Sequence, residues 1–342
     1  MVYRRKVQVT GGGTFLVTLP KEWADAMGIA QGSTVLLVPN DSGALLLVPA
    51  GTREKNRCAI PMNGREPVHL QRDIIARYIA GYDVIEVIGD RIRPEERRMV
   101  REIAQSLVGL EVLGETQGAV VLHSVVNVRD FPVDQTIRRI FAITLAMWDD
   151  AVAACTARDE ELARDVAERD GDVDRLVLLV ARQFGLLLRD LLVEEELKLS
   201  RFQFHHYQAV ADQLERVADH AVKVSRAALS LAAELLPAVG DRVRQAAAAS
   251  REILTGAVRA FEGRDVPLAN RVLAEKERKD TLAGWAQAAI REQPENAHPI
   301  SIVMDSLLRS REYGFNIAEI AVDAAVPLGH AIGEQETPRS RA

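Results

Sequence analysis

Two pairs of carboxylates, each spaced four residues apart, are the residues of this sequence best placed to do chemistry. Asp170 and Asp174 lie in one long stretch with helical periodicity, and Glu215 and Asp219 lie in another. Residues four apart on a helix are neighbours, with about 5–6 Å between their Cβ atoms. On adjacent antiparallel helices the two pairs would form an oxygen-rich patch, which we name the acidic cluster. Because like charges repel, such a patch requires screening by a cation or by solvent.

Oxygen ligands of this kind suit hard cations, iron or manganese, with water completing the coordination. The sequence therefore predicts a metal site at the acidic cluster, with divalent or iron-type ions of unknown identity and number. His220 is the nearby nitrogen candidate, but it points away from Glu215, and the Glu-x-x-His spacing of di-iron oxidases is absent. The alternative is a solvated acidic helix face in a structural ion network, with Arg216 neutralising one carboxylate.

Two other polar pairs are weaker candidates for a site. His205 and His206 are adjacent, and adjacent helical residues diverge by about 100°, so they cannot easily chelate one ion together. We expect them at a surface or at a helix start. Asp149 and Asp150 are expected on a solvated face, although they could reach the acidic cluster from a neighbouring helix.

The elements that carry these residues occupy the C-terminal part of the chain. Residues 133–329 have helical periodicity almost throughout, interrupted near Gly171, Gly185, Pro237, Gly263, Pro294 and Pro299. This pattern predicts six helices in two runs of three, which indicates tandem three-helix bundles.

The two runs resemble each other as an internal repeat. Residues 219–224 can be laid over 312–317, and residues 170–176 over 277–282 with one residue missing. Leu308 then takes the place of Glu215, and Lys276 lies four residues before Asp280. The second run is therefore predicted to have a weak metal site or none.

The N-terminal 50 residues have a different pattern. Strands are predicted over 4–9, 15–19, 34–38 and 44–48, with a short helix over 20–27. A module this small rarely builds its own core, so we expect it to share one with a second chain.

Basic residues are grouped in this module. They are Arg4, Arg5 and Lys6 at the start of the first strand and Lys21 at the start of the short helix. Doubled in a dimer, they would form a basic ridge that can contact phosphates and base edges of duplex DNA. The alternative is a dimerisation module whose charges merely keep a strand edge soluble.

Residues 54–130 alternate between strand and helix patterns and indicate a small α+β domain. Strands are predicted over 58–62, 84–88, 110–113 and 120–126, and helices over 69–82 and 94–108. This segment contains no nucleotide loop, metal cluster or nucleophile elbow in its sequence. Its role does not follow from its residues.

Composition limits the class of protein. Of 342 residues, 48% are hydrophobic and 27% are charged, which is typical of a soluble globular protein. The two cysteines, Cys58 and Cys155, predict no disulfide framework and a reducing compartment. The start of the chain lacks a signal-peptide core. Charged side chains interrupt the most apolar stretch, 176–193, so we expect a buried helix, no membrane insertion and a cytoplasmic location.

Charge is spread unevenly along the chain. Residues 1–53 have five Lys or Arg against three Asp or Glu, a balance of +2, whereas residues 133–342 have 27 against 34, a balance of −7. A polyanionic partner would therefore meet the N-terminal end, and the helical part would attract cations.

Two family resemblances follow from these motifs. Residues 3–50, with RKVQVTGGGTFLVTLPKEW and the later GSTVLLV, resemble a SpoVT/AbrB-type swapped-hairpin domain. Residues 133–329 resemble PhoU, the phosphate-uptake regulator family of paired three-helix bundles, and the segment LERVADHA at 214–221 is close to its signature. Their fusion resembles phosphate regulators known mainly from archaea.

The resemblances imply particular properties. An AbrB-like domain implies an intertwined dimer that binds DNA. A PhoU-like part implies multinuclear metal clusters held by Glu/Asp-x-x-x-Asp pairs, and the matching positions are those of the acidic cluster. The second run departs from that pattern at Leu308 and Asn316.

The sequence thus predicts a multidomain protein. We expect an AbrB-like domain at 1–53, a small α+β domain at 54–130, three-helix bundles at 131–232 and 237–330, and a disordered tail at 331–342. The predicted function is phosphate-responsive transcriptional regulation without catalysis.

Two alternatives stay open. One is an adaptor that binds no DNA and regulates a phosphate transporter ATPase or a sensor kinase by protein contact. The other is a carboxylate-bridged metallo-phosphohydrolase, although the sequence offers it no nucleophile or phosphate-cradling loop.

Overall fold

The computed structural model describes residues 2–39, 43–50, 55–62, 64–125, 127, 130–276 and 282–327. The chain divides into two compact units, Met1–Glu54 with Pro327–Ala342, and Lys55–Val326. The tail predicted to be disordered, 331–342, lies outside the described residues.

The N-terminal unit consists of two hairpins and a short helix. Strand β1 (Gln8–Thr10) pairs antiparallel with β2 (Thr14–Leu16), and β3 (Val35–Pro39) pairs antiparallel with β4 (Leu45–Pro49). Helix α1 (Lys21–Ala26) lies between the hairpins. The predicted order of elements is therefore correct. The predicted first strand begins too early. The residues that would have to pair with positions 4–7 do not continue β2 but lead into Pro20 and α1.

Apolar side chains of the N-terminal unit are open to solvent. No residue described between 2 and 50 is buried. The exposed set includes Val7, Val9, Phe15, Val17, Leu37 and Leu45. The part of this unit that the structure describes therefore has no hydrophobic core within one chain.

The second unit begins with a four-stranded sheet covered by two helices. Its strands, in the spatial order β5-β6-β8-β7, are β5 (Arg57–Pro61), β6 (Val84–Ile88), β8 (Ala119–Ser124) and β7 (Leu110–Glu115). Its helices are α2 (Pro67–Ile79) and α3 (Pro94–Gln105), and each begins with a proline, whose missing N–H is tolerated there. Ile60, Ile74, Ile85, Val100 and Leu122 are central to the core.

Within the described residues, eight α-helices follow along the chain. They are α4 (Val133–Ala157), α5 (Glu160–Arg189), α6 (Leu191–Leu197), α7 (Arg201–Leu229), α8 (Pro237–Gly263), α9 (Val266–Ala274), α10 (Leu282–Glu292) and α11 (Ala297–Ala324). Helices α4, α5 and α7 form bundle 1. Bundle 2 is formed by α8, α9, α10 and α11. The helix predicted as the second of this bundle is described as two separate helices, α9 and α10. One continuous core joins the two bundles.

Helix α5 runs through both glycines that were predicted to interrupt it. Gly171 and Gly185 are interior residues of this helix. A Cβ atom at position 185 would overlap the carbonyl oxygen of Ile79, the last residue of α2. The glycine therefore permits a close approach of two helices, and packing outweighs its helix penalty of about 1 kcal/mol.

Two arginines of α5 join the α+β domain to bundle 1. Arg182, which is 2% exposed, donates hydrogen bonds to the carbonyl oxygens of Tyr78 (2.6 Å) and Tyr82 (3.1 Å). Arg189 donates to the carbonyl of Ala80. These guanidinium groups donate to carbonyl oxygens at and just beyond the C-terminal end of α2, where carbonyls lack partners within the helix. The α+β domain and the bundles consequently form one compact unit.

Among the described helices, α4 is the one that is long and apolar enough to cross a membrane by length and composition. The stretch 176–193, the most apolar of the sequence, does not meet those criteria. Ile140, Met147 and Trp148 of α4 are buried in bundle 1, so core packing also accounts for its composition.

Candidate functional site

The acidic cluster lies where α5 packs against α7 in bundle 1. Asp170 and Asp174 come from α5, and Glu215 and Asp219 come from α7. Burial raises the pKa of Asp170, and the charge of Asp219 adds to this rise. Burial also raises the pKa of Glu215, with further contributions from the charges of Asp219 and Asp174. The structure thus brings all four predicted carboxylates into one electrostatic neighbourhood.

Helix α7 positions its two carboxylates by burying the opposite side of the helix. Leu214, Val217 and Ala221 are fully buried, whereas Glu215 is partly exposed and Asp219 is exposed. The helix starts at a capping box in which the side chains of Ser200 and Gln203 satisfy each other's backbone N–H groups.

Helix α5 is held in a comparable way. The side chain of Asp159 caps its first turn by accepting from the backbone N–H of Leu162 at 3.0 Å. Val173 and Leu176 are buried in the core of bundle 1, while Asp170 is partly exposed and Asp174 is exposed. The α5 carboxylates consequently lie at the rim of the helix packing, beside those of α7.

Crowding in the acidic cluster favours the protonated carboxyl groups. Loss of surrounding water is the largest cause that raises the pKa of Asp174 to about 6, and the charges of Asp170 and Asp219 add to it. The pKa of Glu215 rises to about 6 for the same first reason, with contributions from Asp219, Asp174 and Asp212. A positive charge placed here would therefore be stabilised at neutral pH.

Protein cations compensate this charge only in part. Arg216 lowers the pKa of Glu215 and Arg226 lowers that of Asp170, but each effect is smaller than the opposing ones. The guanidinium carbon of Arg216 lies 5.8 Å from the centre of the Tyr313 ring. None of the four carboxylates forms an ion pair with a Lys or Arg in the described part of the chain. Arg226, two turns after Asp219, was missed in the sequence although its spacing could have indicated it.

The donor set of the acidic cluster fits a hard cation in its chemistry. Carboxylate oxygens that form no ion pair with a described Lys or Arg are suitable ligands for such an ion. Within the described residues, however, no group of three or more His, Cys, Asp or Glu side chains converges closely enough to hold a metal ion. The side chains would have to rotate towards one another to enclose one.

The remaining acidic candidates are engaged in ion pairs elsewhere. Asp150 pairs with Arg169 at 2.6 Å, and Asp149 pairs with Arg251 of α8 at 3.0 Å. They hold bundle 1 together and connect it to bundle 2, and they do not extend the acidic cluster.

The histidines are placed by packing. His205 is exposed, but His206 is buried with its ring edge-on to Phe202, so the expectation of a surface position is wrong for His206. The His220 ring lies 5.7 Å from that of Tyr313, centre to centre, and burial lowers its pKa to about 4. Each buried ring lies beside an aromatic side chain, because α7 is covered on several sides.

The four predicted DNA-contacting residues are open to solvent. Arg4, Arg5, Lys6 and Lys21 are exposed, and none forms an ion pair with a described residue. Arg5 lies over the ring of Tyr3, with 5.9 Å from its guanidinium carbon to the ring centre. Their charges are thus available to a partner.

Two family models match parts of the chain. The PhoU domain matches residues 137–228, a range that contains the whole acidic cluster. The family described as antidote-toxin recognition MazE, bacterial antitoxin, matches residues 8–55. No curated protein sequence matches the chain.

Solved structures that are similar to the chain include two PhoU proteins. PhoU from Pseudomonas aeruginosa is 24% identical with a TM-score of 0.48, over 56% of this chain and 94% of that one. The phosphate transport system regulatory protein PhoU from Streptococcus pneumoniae is 19% identical with a TM-score of 0.47, over 57% and 96%. The two family models confirm the predicted fusion, because a MazE/AbrB-like domain matches residues 8–55 and a PhoU domain matches residues 137–228 of the same chain.

Proposed function

We propose that this chain is a cytoplasmic, dimeric regulator that controls transcription in response to phosphate. Its N-terminal domain binds double-stranded DNA, and bundle 1 receives the signal through a metal ion at the acidic cluster. The observation that carries this proposal is the presence of a MazE/AbrB-like domain and a PhoU domain on one chain. Binding events suffice for this role, so we assign the protein no catalytic step.

The N-terminal unit supports the dimer and the DNA contact by its surface. Its apolar side chains are exposed in a single chain, and burying them against a second copy would remove them from water. Dimerisation would also double the exposed basic residues, which are suited to phosphate contacts.

Binding to DNA is tested with duplex fragments from upstream of phosphate-uptake genes. We expect binding that weakens as salt rises and is lost in Arg4→Ala/Arg5→Ala, because fewer counterions are then released. Arg164→Ala, which removes an exposed arginine of α5, is the matched control and should bind normally. If the unmodified protein binds no duplex at low salt, the adaptor acting on a transporter ATPase or sensor kinase becomes the better description.

The metal ion is tested by elemental analysis of purified full-length protein. We expect a divalent or iron-type ion that is lost in Glu215→Ala/Asp219→Ala and kept in Glu252→Ala, an exposed acid of α8. An unchanged metal content in the double variant would remove these carboxylates from the site. Phosphoester hydrolysis that disappears in Asp219→Ala would instead favour the phosphohydrolase.

A further inference from the structure

Helix α5 contributes both to the acidic cluster and to the core of the α+β domain. Asp174 lies near the carboxylates of α7, and Leu178, about one turn further along α5, packs against the core of the α+β domain. Burial raises the pKa of Tyr78 in α2 to about 12, and the charges of Arg182 and Arg175 oppose that rise. Successive residues of one helix thus act on bundle 1 and on the α+β domain.

Two glycines interlock α5 with the C-terminal end of α2. Gly185 of α5 faces the carbonyl oxygen of Ile79, and Gly81, just after α2, faces the side chain of Leu186. A Cβ atom on Gly81 would lie 2.6 Å from Cδ2 of Leu186. Each glycine therefore admits a residue of the other segment. The two segments cannot slide past each other without a clash, because packed interiors compress little.

Two arginine side chains of α5 hold the same place by hydrogen bonds and ring contacts. Arg182 donates to the carbonyl oxygens of Tyr78 and Tyr82, and Arg189 donates to that of Ala80. The guanidinium carbons of Arg182 and Arg189 lie 4.8 Å and 5.2 Å from the ring centres of Tyr78 and Tyr82. A displacement of α5 must consequently carry the end of α2 with it.

The acidic cluster supplies a reason for α5 to move. Among the residues that the structure describes, its carboxylates do not converge closely enough to hold an ion. Asp170 and Asp174 of α5 lie near the like charge of Asp219 on α7, and this repulsion opposes closer packing of the two helices. A bound cation would remove the repulsion and draw α5 towards α7.

We propose that the α+β domain responds to cation binding in bundle 1 through the contacts between residues 182–189 of α5 and residues 78–82. We name these contacts the α2–α5 joint. A cation at the acidic cluster fixes α5 against α7, and the joint then opens less often. The α+β domain directly follows the N-terminal unit in the sequence, so the response reaches the segment connected to that unit. This inference rests on the proposed metal site of bundle 1.

Hydrogen–deuterium exchange over 78–82 in the full-length protein measures opening of the joint. The backbone N–H groups of Gly81 and Tyr82 donate to carbonyl oxygens of α2, so their exchange requires this end of the helix to open. Saturating Mn²⁺ added to metal-stripped protein should slow the exchange about fivefold or more. Glu215→Ala/Asp219→Ala should abolish the slowing. Unchanged exchange in wild-type protein that binds Mn²⁺ would overturn the inference and leave the metal site intact.

The reciprocal effect is measured by titrating Mn²⁺ into a variant with a weakened joint. Arg182→Gln/Arg189→Gln should bind Mn²⁺ more weakly, by up to about fivefold, because coupling between two sites acts equally in both directions. Loss of two positive charges would by itself strengthen cation binding, so a purely electrostatic influence has the opposite sign. Arg164→Gln, which removes an exposed arginine elsewhere on α5, is the matched control and should bind as wild type does. Equal or tighter binding in the joint variant would contradict the coupling.

Two further variants separate this inference from the proposed function and from misfolding. If wild type binds no Mn²⁺, the metal site of bundle 1 is wrong. Asp170→Asn/Asp174→Asn then removes the repelling charges of α5 and should by itself slow exchange over 78–82, and no slowing would overturn the inference. If Arg182→Gln/Arg189→Gln lacks the wild-type circular dichroism spectrum, Arg189→Gln replaces it, since Arg189 is exposed. Its Mn²⁺ affinity should also fall, and a wild-type affinity would contradict the coupling.

Discussion

Phe15 of the N-terminal unit and Phe204 of bundle 1 have the same side chain in opposite surroundings. Phe15 is 73% exposed, and Phe204 is 0% exposed and stacks on Phe184 with 5.8 Å between ring centres. The second unit, Lys55–Val326, which we call the helical unit, is long enough to cover its apolar residues with its own helices. The two hairpins and one short helix of the N-terminal unit are too small to do so. An apolar residue thus contributes to stability only where the fold supplies enough neighbouring atoms to exclude water.

The largest expected effect is the loss of a buried ring. Phe204→Ala should lower the free energy of unfolding of the helical unit by about 3–5 kcal/mol, because it removes apolar contacts and leaves a cavity. Urea unfolding monitored by circular dichroism checks this, and the loss should not depend on protein concentration. Phe15→Ala is the matched control and should leave the same transition unchanged. An equal loss of unfolding free energy in both variants would contradict the difference between the buried and the exposed phenylalanine.

The next effect concerns the joint between the α+β domain and bundle 1. Arg182→Met should cost about 1–3 kcal/mol, because the carbonyl of Tyr82 loses the Arg182 donor and the carbonyl of Tyr78 keeps only the backbone N–H of Gly81. Hydrogen–deuterium exchange over 78–82 should rise.

An exposed arginine on the same helix provides the comparison for Arg182. Arg164→Met removes an ion pair with Glu160 and should cost less than about 0.5 kcal/mol. Unchanged exchange over 78–82 in Arg182→Met would show that the two domains are held together by other contacts.

A substitution of an exposed apolar residue in the N-terminal unit should weaken dimerisation and leave the folding of the helical unit unchanged. Phe15→Ser should weaken dimerisation at least tenfold, about 1.4 kcal/mol, if the exposed apolar surface is covered by a second copy. Analytical ultracentrifugation across a dilution series measures this. The melting transition of the helical unit serves as an internal control and should stay in place. A dimer as tight as wild type would place the partner contact elsewhere.

The smallest effect depends on pH. The pKa of Glu215 is raised to about 6 in the folded protein, so folding favours its protonated form. The free energy of unfolding should therefore fall as pH rises from about 4 to about 6. Glu215→Gln, which cannot ionise, should raise stability at pH 7 by about 1 kcal/mol after solvent screening is allowed for, with no gain at pH 4.

Bundle 2 provides the matched variant for this pH dependence. Glu319→Gln removes the partner of Lys276 and should give no gain at pH 7. Both variants are compared by chemical denaturation without metal ions. A stability gain for Glu319→Gln, or none for Glu215→Gln, would contradict the difference between the bundles.

Elements with strong local signals were predictable. The strand predicted over 84–88 is β6, and the helix predicted to begin at Pro94 is α3, because proline is favoured in the first turn. The helix predicted from His69 is α2, which begins two residues earlier at Pro67. Contacts between distant segments were not. Gly185 was predicted to interrupt a helix. The structure shows that a glycine is required there because Ile79, which is distant in the sequence, approaches it closely. Similarly, Arg182 and Arg189 looked like charges that interrupt an apolar stretch, and only their contacts with α2 explain them.

The sequence by itself determined which residues share a helix face, since side chains four apart are neighbours on any α-helix. Asp170 with Asp174, and Glu215 with Asp219, follow from that rule alone. The tertiary structure decided that α5 and α7 bring the two pairs together, that the charge of Arg226 acts on Asp170, and that Lys276 meets Glu319 in bundle 2. Those meetings depend on how helices pack, which is set by the buried faces of several segments at once and not by the spacing within any one of them.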